Sequence, residues 1–326
     1  MKKYFILAAA VLTMIACSND ENENSVFNDN AINLTASVAG ATATRAGVAV
    51  QSTYFEAGEK IKVECTPNDG TTDGTMVSAI YETAAVTSST VNALSVYTGS
   101  TALTWPAKGT VSLKAFYPYD VTSSSTTFSV LEDQSTDATN GDANYKASDL
   151  MYSTPITGQT KQSAAVELTF HHALTKIIVN LTPGSGMTND DVAACTVKLY
   201  AKKTVAIASG VADPTNASAG ATITAGTGTE VADNSGVKTY GVAAIIVPQT
   251  ITVGTDPVTP VNFITVTTAG GHSVTYKLGE TKAFAAGNVY TYNFTVGISG
   301  LVLQSTQIID WVGATTNVIN GGPLTL

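Results

Sequence analysis

The side chains best suited to metal binding or catalysis are few and widely spaced in this sequence. Only three histidines occur, His171, His172 and His272, and no HExxH or CxxC spacing accompanies them. Neighbouring residues of a strand point to opposite faces, so His171 and His172 cannot easily bind one metal ion together. The sequence also lacks a GxSxG nucleophile elbow, a P-loop and a dinucleotide-binding fingerprint. We therefore expect no enzyme, no metal site and no cofactor.

The residue with the most specific chemistry is Cys17. It follows two lysines and an apolar run over residues 4–15, and Met14, Ile15 and Ala16 directly precede it. This pattern resembles a bacterial lipoprotein signal, in which residues 1–16 are removed and the cysteine is acylated, for example with palmitate. An ordinary secretory signal with an accidental cysteine is the alternative. A transmembrane helix is not expected, because the apolar run is shorter than the roughly 20 residues that cross a bilayer.

The segment behind Cys17 is polar and acidic over residues 17–30, which predicts a disordered tether. Acidic residues in this position resemble the surface-export signals of some Gram-negative lipoproteins, so we expect a surface-exposed lipoprotein of the cell outer membrane. Removal of the two signal lysines reduces the 16 basic residues to 14 against 25 acidic ones, a net charge of −11. Such a charge disfavours nucleic acid and anionic lipid as partners.

The bond between Arg45 and Ala46 is a candidate for proteolysis. Arg45 is the first basic residue after the signal, and its surroundings are small residues with little to bury, so a trypsin-like protease could reach it. A solvated surface arginine that is never cut is the alternative.

The elements that must position these residues are β-strands. The chain is 44% hydrophobic and 13% charged, and turn residues recur along it, which indicates an all-β fold. Its 326 residues favour two domains, which we place at residues 31–158 and 163–326, with a linker at 155–163. A short amphipathic strand is predicted over residues 31–39. Its apolar face comprises Ile32, Leu34, Ala36 and Val38.

The run over residues 165–181 alternates apolar and polar residues in two parts, separated by His171, His172, Ala173 and Leu174. We expect this run to form the first core strand of the second domain, with a bulge or bend in its middle. Cys65 and Cys195 fall in different predicted domains. A disulfide between them is one possibility, and two small buried hydrophobic residues are the other.

Several motifs together resemble the fimbrillin family, the major and minor fimbrillins and Mfa-like proteins that build type V pili. Besides the lipoprotein signal and the junction after Arg45, these motifs are AFYPY at 115–119, FHHALTKIIV at 170–179, GNVYTYNFTV at 287–296 and IIDW at 308–311. The resemblance implies two transthyretin-like Greek-key β-sandwich domains in tandem.

The resemblance also implies a route of assembly. The lipoprotein precursor would be cut after Arg45 by an arginine-specific surface protease, and the strand carrying Ile32, Leu34 and Val38 would leave. The C-terminal segment 313–326 of another copy, or of a related fimbrillin, would fill the vacant groove by donor-strand exchange. Its candidate apolar side chains are Val318, Leu324 and Leu326, although residues 321–323, Gly-Gly-Pro, interrupt pairing.

Two functions remain open from the sequence. One is a polymerising pilus subunit that serves adhesion to host or bacterial surface ligands. The other is a non-polymerising surface lipoprotein of the same fold, such as a pilus anchor, a tip adhesin or a glycan-binding module. Exposed rings at Trp105 and Tyr117 would favour a glycan binder, whereas burial of these rings would favour core packing.

Overall fold

Strands make up nearly all the regular structure of the protein. The computed structural model describes residues 30–39, 55–86, 91–135, 143–226, 228–255, 258–259, 261–311 and 316–319. Two short helices also occur there, α1 (Ala143–Ala147) and α2 (Asn189–Ala193). The all-β prediction is confirmed. Within these ranges, neither helix has the length or the apolar character needed to cross a membrane.

The first sheet closes on itself. Its strands run in the order β2-β3-β4-β1-β9-β7-β5-β8, and β5 also pairs with β2, which joins seven of the eight strands into a ring. The bounds are β1 (Leu34–Val38), β2 (Lys60–Asn68), β3 (Val77–Thr83), β4 (Val91–Val96), β5 (Thr110–Tyr117), β7 (Met151–Ser153), β8 (Ile156–Gln159) and β9 (Val166–His172).

Two further sheets pack face to face as a sandwich. One has the order β13-β14-β10-β21-β22-β23, and the other has the order β12-β11-β18-β19, with β6 paired to β11. Two small hairpins, β15 with β20 and β16 with β17, complete the fold. The bounds are β6 (Thr127–Ser129), β10 (Thr175–Pro183), β11 (Thr196–Ala208), β12 (Val211–Thr224), β13 (Thr229–Asn234), β14 (Val237–Ile246), β15 (Gln249–Ile251), β16 (Gly254–Thr255), β17 (Val258–Thr259), β18 (Val261–Thr267), β19 (Ser273–Leu278), β20 (Lys282–Phe284), β21 (Asn288–Gly297), β22 (Gly300–Asp310) and β23 (Thr316–Ile319).

The apolar side chains form two clusters. The first fills the ring, and the second lies within the sandwich. Phe116, Val121, Val130, Tyr145 and Leu150 belong to the second cluster, although they precede the predicted linker. The chain from Ala31 onward is one compact unit, and its division into two domains stays a prediction.

The structure corrects the interpretation of residues 165–181. They form two strands, β9 and β10, separated at Ala173 and Leu174. β9 pairs with β1 and β7 in the first sheet, whereas β10 pairs with β14 and β21 in the sandwich. The run therefore belongs to both sheets, because its first half completes the ring and its second half enters the sandwich. β8 lies within the predicted linker and pairs with β5.

Candidate functional site

The first strand occupies a slot between two other strands of the ring. β1 runs antiparallel to β4, with Ala36 opposite Asn92, and parallel to β9, with Leu34 opposite Val166 and Val38 opposite Phe170. It is therefore hydrogen-bonded along both edges. We call this position, bounded by β4 and β9, the β1 slot.

The apolar face of β1 points into the first cluster. Ile32, Leu34, Ala36 and Val38 are each at most 6% exposed. Complete burial of side chains like the three larger ones contributes roughly 1.5–3 kcal/mol each. If β1 left, the slot would expose this apolar surface and the unpaired backbone groups of β4 and β9. The role of Ile32, Leu34 and Val38 as a displaced strand stays a prediction.

Additional hydrogen bonds hold the two ends of β1. The Ile32 amide donates to the Leu103 carbonyl at 2.8 Å, and the Ala39 amide donates to the Phe170 carbonyl at 2.7 Å. The Ser37 hydroxyl donates to Oε1 of Glu167 on β9 at 2.5 Å. These contacts set the register of β1 from one end of the slot to the other.

Phe55 is held beside the slot independently of β1. Its amide donates to Oδ1 of the fully buried Asn92 at 3.0 Å, and the Asn92 amide group donates to the Phe55 carbonyl at 2.8 Å. Its ring meets the ring of Phe170 edge-on, with centroids 5.0 Å apart. This pair was not predicted from the sequence, although an asparagine among the apolar residues of a strand was a usable signal.

The C-terminal strand lies at the edge of the sandwich. β23 pairs only with β22 among the described strands, and the backbone of Val318 lies opposite Gln307. Leu324 and Leu326 lie outside the described residues, as do Cys17, Arg45 and Ala46. Of the predicted donor residues, the structure therefore positions the backbone of Val318 alone, as part of its own sheet.

A family model described as fimbrillin-like matches residues 44–311 of the chain. The chain belongs to the fimbrillin-like family. This fimbrillin-like chain is 28% identical over 170 residues to "Putative fimbrium subunit Fim1C" of Bacteroides uniformis. That alignment covers 50% of the chain and 51% of the relative, so the chain spans about half the length of the curated relative it matches.

Two crystal structures share the fold of this fimbrillin-like protein. One is of a "putative cell adhesion protein" from Bacteroides uniformis, with a TM-score of 0.57 and 21% identity. The other, from Bacteroides ovatus and described in the same words, has a TM-score of 0.57 and 16% identity. Each comparison covers 87% of this chain and 99% of the other. At these identities the similarity shows the fold alone.

The rings that would have indicated glycan binding are buried in this fimbrillin-like protein. Trp105 is 2% exposed and Tyr117 is 4% exposed, and both belong to the first cluster. The Tyr117 hydroxyl donates to Oε2 of Glu59 at 2.7 Å, and its ring packs against Phe55. These rings therefore pack the core and offer no surface to a ligand.

The paired histidines serve two different environments. Nε2 of His171 is hydrogen-bonded to the Thr154 hydroxyl at 2.9 Å, and Nδ1 of His172 to Oδ1 of the buried Asp149, also at 2.9 Å. The His172 ring stacks on Trp311 with centroids 3.6 Å apart. The two side chains thus contact different partners, and no three His, Cys, Asp or Glu side chains in the described ranges could hold a metal ion together.

A buried lysine completes the cluster around His172. Lys176 lies at the start of β10, with Nζ 5.7 Å from the centroid of the Trp311 ring. Burial lowers the pKa of Lys176 to about 8, and the negative charge of Asp149 partly opposes this effect. Oδ2 of Asp149 is buried without a hydrogen bond to any described residue, so the cluster places a carboxylate oxygen that is not hydrogen-bonded near a buried lysine. This cluster was not predicted from the sequence, although a lysine beside the apolar residues 177–179 was a usable signal.

The two cysteines of the folded part are not joined. Cys65 is buried in the first cluster, and Cys195 is half-buried with Sγ 3.3 Å from the Asp191 carbonyl. Burial raises the pKa of both thiols to about 11. Of the two possibilities drawn from the sequence, the structure supports small buried hydrophobic residues.

Proposed function

We propose that this fimbrillin-like protein is a structural subunit of a surface fimbrium that serves adhesion. Its precursor is exported as an outer-membrane lipoprotein through Cys17, is cleaved after Arg45 by an arginine-specific surface protease, and polymerises by donor-strand exchange. The observation that carries this proposal is the position of β1. It is an interior strand of a closed sheet, yet it lies wholly before Arg45 in the chain.

The position of the arginine supports a single cut. Arg45 is the one arginine in the 326 residues of the sequence. An arginine-specific protease can therefore cleave the chain only there, seven residues after the end of β1. Phe55, which follows the cut, is hydrogen-bonded to Asn92 and packs on Phe170, and neither contact is made by β1 itself, which supports retention of Phe55 in the first cluster after cleavage.

Loss of β1 would create the acceptor for another subunit. A strand that runs parallel to β9 and antiparallel to β4 would restore the same backbone hydrogen bonds and cover the same apolar surface. In segment 313–326, Val318, Leu324 and Leu326 occupy positions of equal parity, so they would share one face of an extended strand. Since donor and slot are different surfaces, the contact is heterologous and generates a filament.

The first test is the N-terminus and intact mass of the protein sheared from its native cells. A chain that begins at Ala46 and runs as heat-sensitive high-mass ladders supports processing and strand exchange. A monomer that begins at an acylated Cys17 overturns the proposal and supports the alternative, a non-polymerising surface lipoprotein such as an anchor.

Two variants sharpen this experiment in the same cells. Arg45→Gln is expected to abolish both the Ala46 terminus and the ladders. Lys108→Gln removes an equal charge from an exposed loop and is expected to leave both unchanged. Ladders of normal size from the Arg45→Gln strain would show that polymerisation does not need the cut.

A further inference from the structure

A small cavity on the outside of the ring contains an unusual carboxyl group. It has a volume of about 90 Å³, and Glu64 of β2 lines it. Glu64 alternates with Val63 and Cys65, which point into the first cluster, so its side chain lies on the opposite face of the sheet. We call this space the Glu64 cavity.

Glu64 is buried with one oxygen unused. The residue is 4% exposed, and its Oε1 accepts a hydrogen bond from the Ser123 amide at 3.0 Å. Oε2 is also buried, yet no described residue donates a hydrogen bond to it. Leaving a buried acceptor without a donor is unfavourable, so a ligand that brings a donor would satisfy this carboxyl group.

The other walls of the cavity define what the ligand must be. Lys114 lies opposite Glu64 in the pairing of β2 with β5, and it also lines the cavity. One carboxyl group and one ammonium group balance in formal charge, which favours a neutral ligand with both donors and acceptors. The hydroxyls of Thr66, Ser112 and Thr157 add further hydrogen-bonding groups.

Apolar side chains cover the rest of the cavity. Met76 and Pro155 are exposed at its rim, and Ile156 is half-buried beside them. Such a surface suits the C–H groups of a pyranose ring, whose neighbouring hydroxyls can donate to Glu64 and accept from Lys114. The volume accommodates one edge of a single sugar ring.

We propose that the Glu64 cavity binds the terminal sugar of a surface glycan. This inference deepens the adhesive role proposed above by naming the class of ligand. A lysine side chain of a partner protein is the rival occupant, but Lys114 in the wall disfavours a second ammonium group there.

The test is a titration of the full chain without residues 1–16, which retains β1, with simple methyl glycosides. The probes are the methyl glycosides of mannose, galactose, fucose and N-acetylglucosamine, each added up to about 50 mM, since contacts with one ring edge give affinities near the millimolar range. Binding is followed by saturation-transfer NMR and by the amide resonance of Ser123. At least one glycoside is expected to bind and to shift that resonance, because the Ser123 amide donates to Glu64.

Matched substitutions locate the site. Glu64→Gln and Lys114→Gln are each expected to weaken binding by about tenfold or more, since each removes a charged hydrogen-bonding partner. Glu230→Gln and Lys238→Gln break a surface ion pair on β13 and β14 and are expected to leave binding unchanged. If Glu64→Gln does not fold, Lys114→Gln and the Ser123 resonance of the unaltered chain still decide the question.

Three outcomes would overturn the inference. They are no binding of any glycoside, binding that is indifferent to Glu64 and Lys114, and binding of N-acetyl-lysine methylamide at the cavity in place of sugars. None of these measurements depends on cleavage or polymerisation. Failure here therefore leaves the proposed fimbrial function standing, and a failure of strand exchange leaves this inference standing.

Discussion

Leu34 offers the sharpest test of the β1 slot. It is 3% exposed, is the first residue of β1, and pairs with Val166 on β9. Replacement of a buried leucine by alanine reduces stability by roughly 2–5 kcal/mol, because apolar contacts are lost and a cavity remains. Leu34→Ala should therefore reduce the free energy with which the slot binds β1 by an amount in this range.

The effect is best measured after cleavage. Once the bond after Arg45 is cut in the purified protein, only non-covalent contacts retain the fragment that contains β1. If the transition state for its release has lost the Leu34 contacts, even 2 kcal/mol accelerates release about 30-fold. Release can be followed by mass spectrometry while a synthetic peptide of residues 313–326 competes for the slot.

Thr35→Ala is the matched control for this measurement. Thr35 belongs to the same strand, but its side chain alternates away from the first cluster and is half-buried. Its substitution is expected to change the release rate by less than about threefold, in keeping with the small effects of partly exposed positions. Equal release rates for Leu34→Ala and the unaltered chain would refute the idea that side-chain burial retains β1.

Two further predictions concern groups whose pKa is shifted by burial. Burial lowers the pKa of Lys176 to about 8 from 10.5, so between these values the unfolded chain binds more protons than the folded chain. The free energy of unfolding of the unaltered protein, relative to that of Lys176→Met, should therefore rise from pH 8 to about pH 10.5. Urea unfolding of both proteins measures this difference. A difference that stays constant across this pH range would contradict a lowered pKa of Lys176. Burial also raises the pKa of Cys65 and Cys195 to about 11, so in a Cys17→Ser chain that retains β1 both thiols should react with a disulfide reagent at pH 8 roughly 100-fold more slowly than in urea. Rapid labelling of the folded chain would show that the thiols are accessible.

The sequence by itself determined the local features of this protein. Alternation through Ile32, Leu34, Ala36 and Val38 predicted a strand with one buried face, and the structure has that strand with those side chains buried. The alternation of side chains between two faces is a property of the extended backbone, so it can be recognised in a sequence without knowledge of the partner strands. The fimbrillin-like family was likewise legible from the order of short motifs.

The tertiary structure alone decided which strands are partners. Both halves of the run over residues 165–181 show the same alternation of apolar and polar residues. However, β9 closes the ring, whereas β10 belongs to the sandwich. Alternation of apolar and polar residues indicates which face of a strand is buried. It does not indicate which of the two apolar clusters that face packs against. For this reason the single strand expected from the sequence is two strands that lie in different sheets.

The partners of the buried polar groups could likewise not be predicted from the sequence. Asp149, His172, Lys176 and Trp311 are up to 162 positions apart in the sequence and meet only in the folded chain. Glu64 resembled any outward residue of a strand until the structure showed it buried with an unused oxygen. Hydrogen bonding and desolvation depend on neighbours in space, and the fold brings those neighbours together from distant parts of the chain.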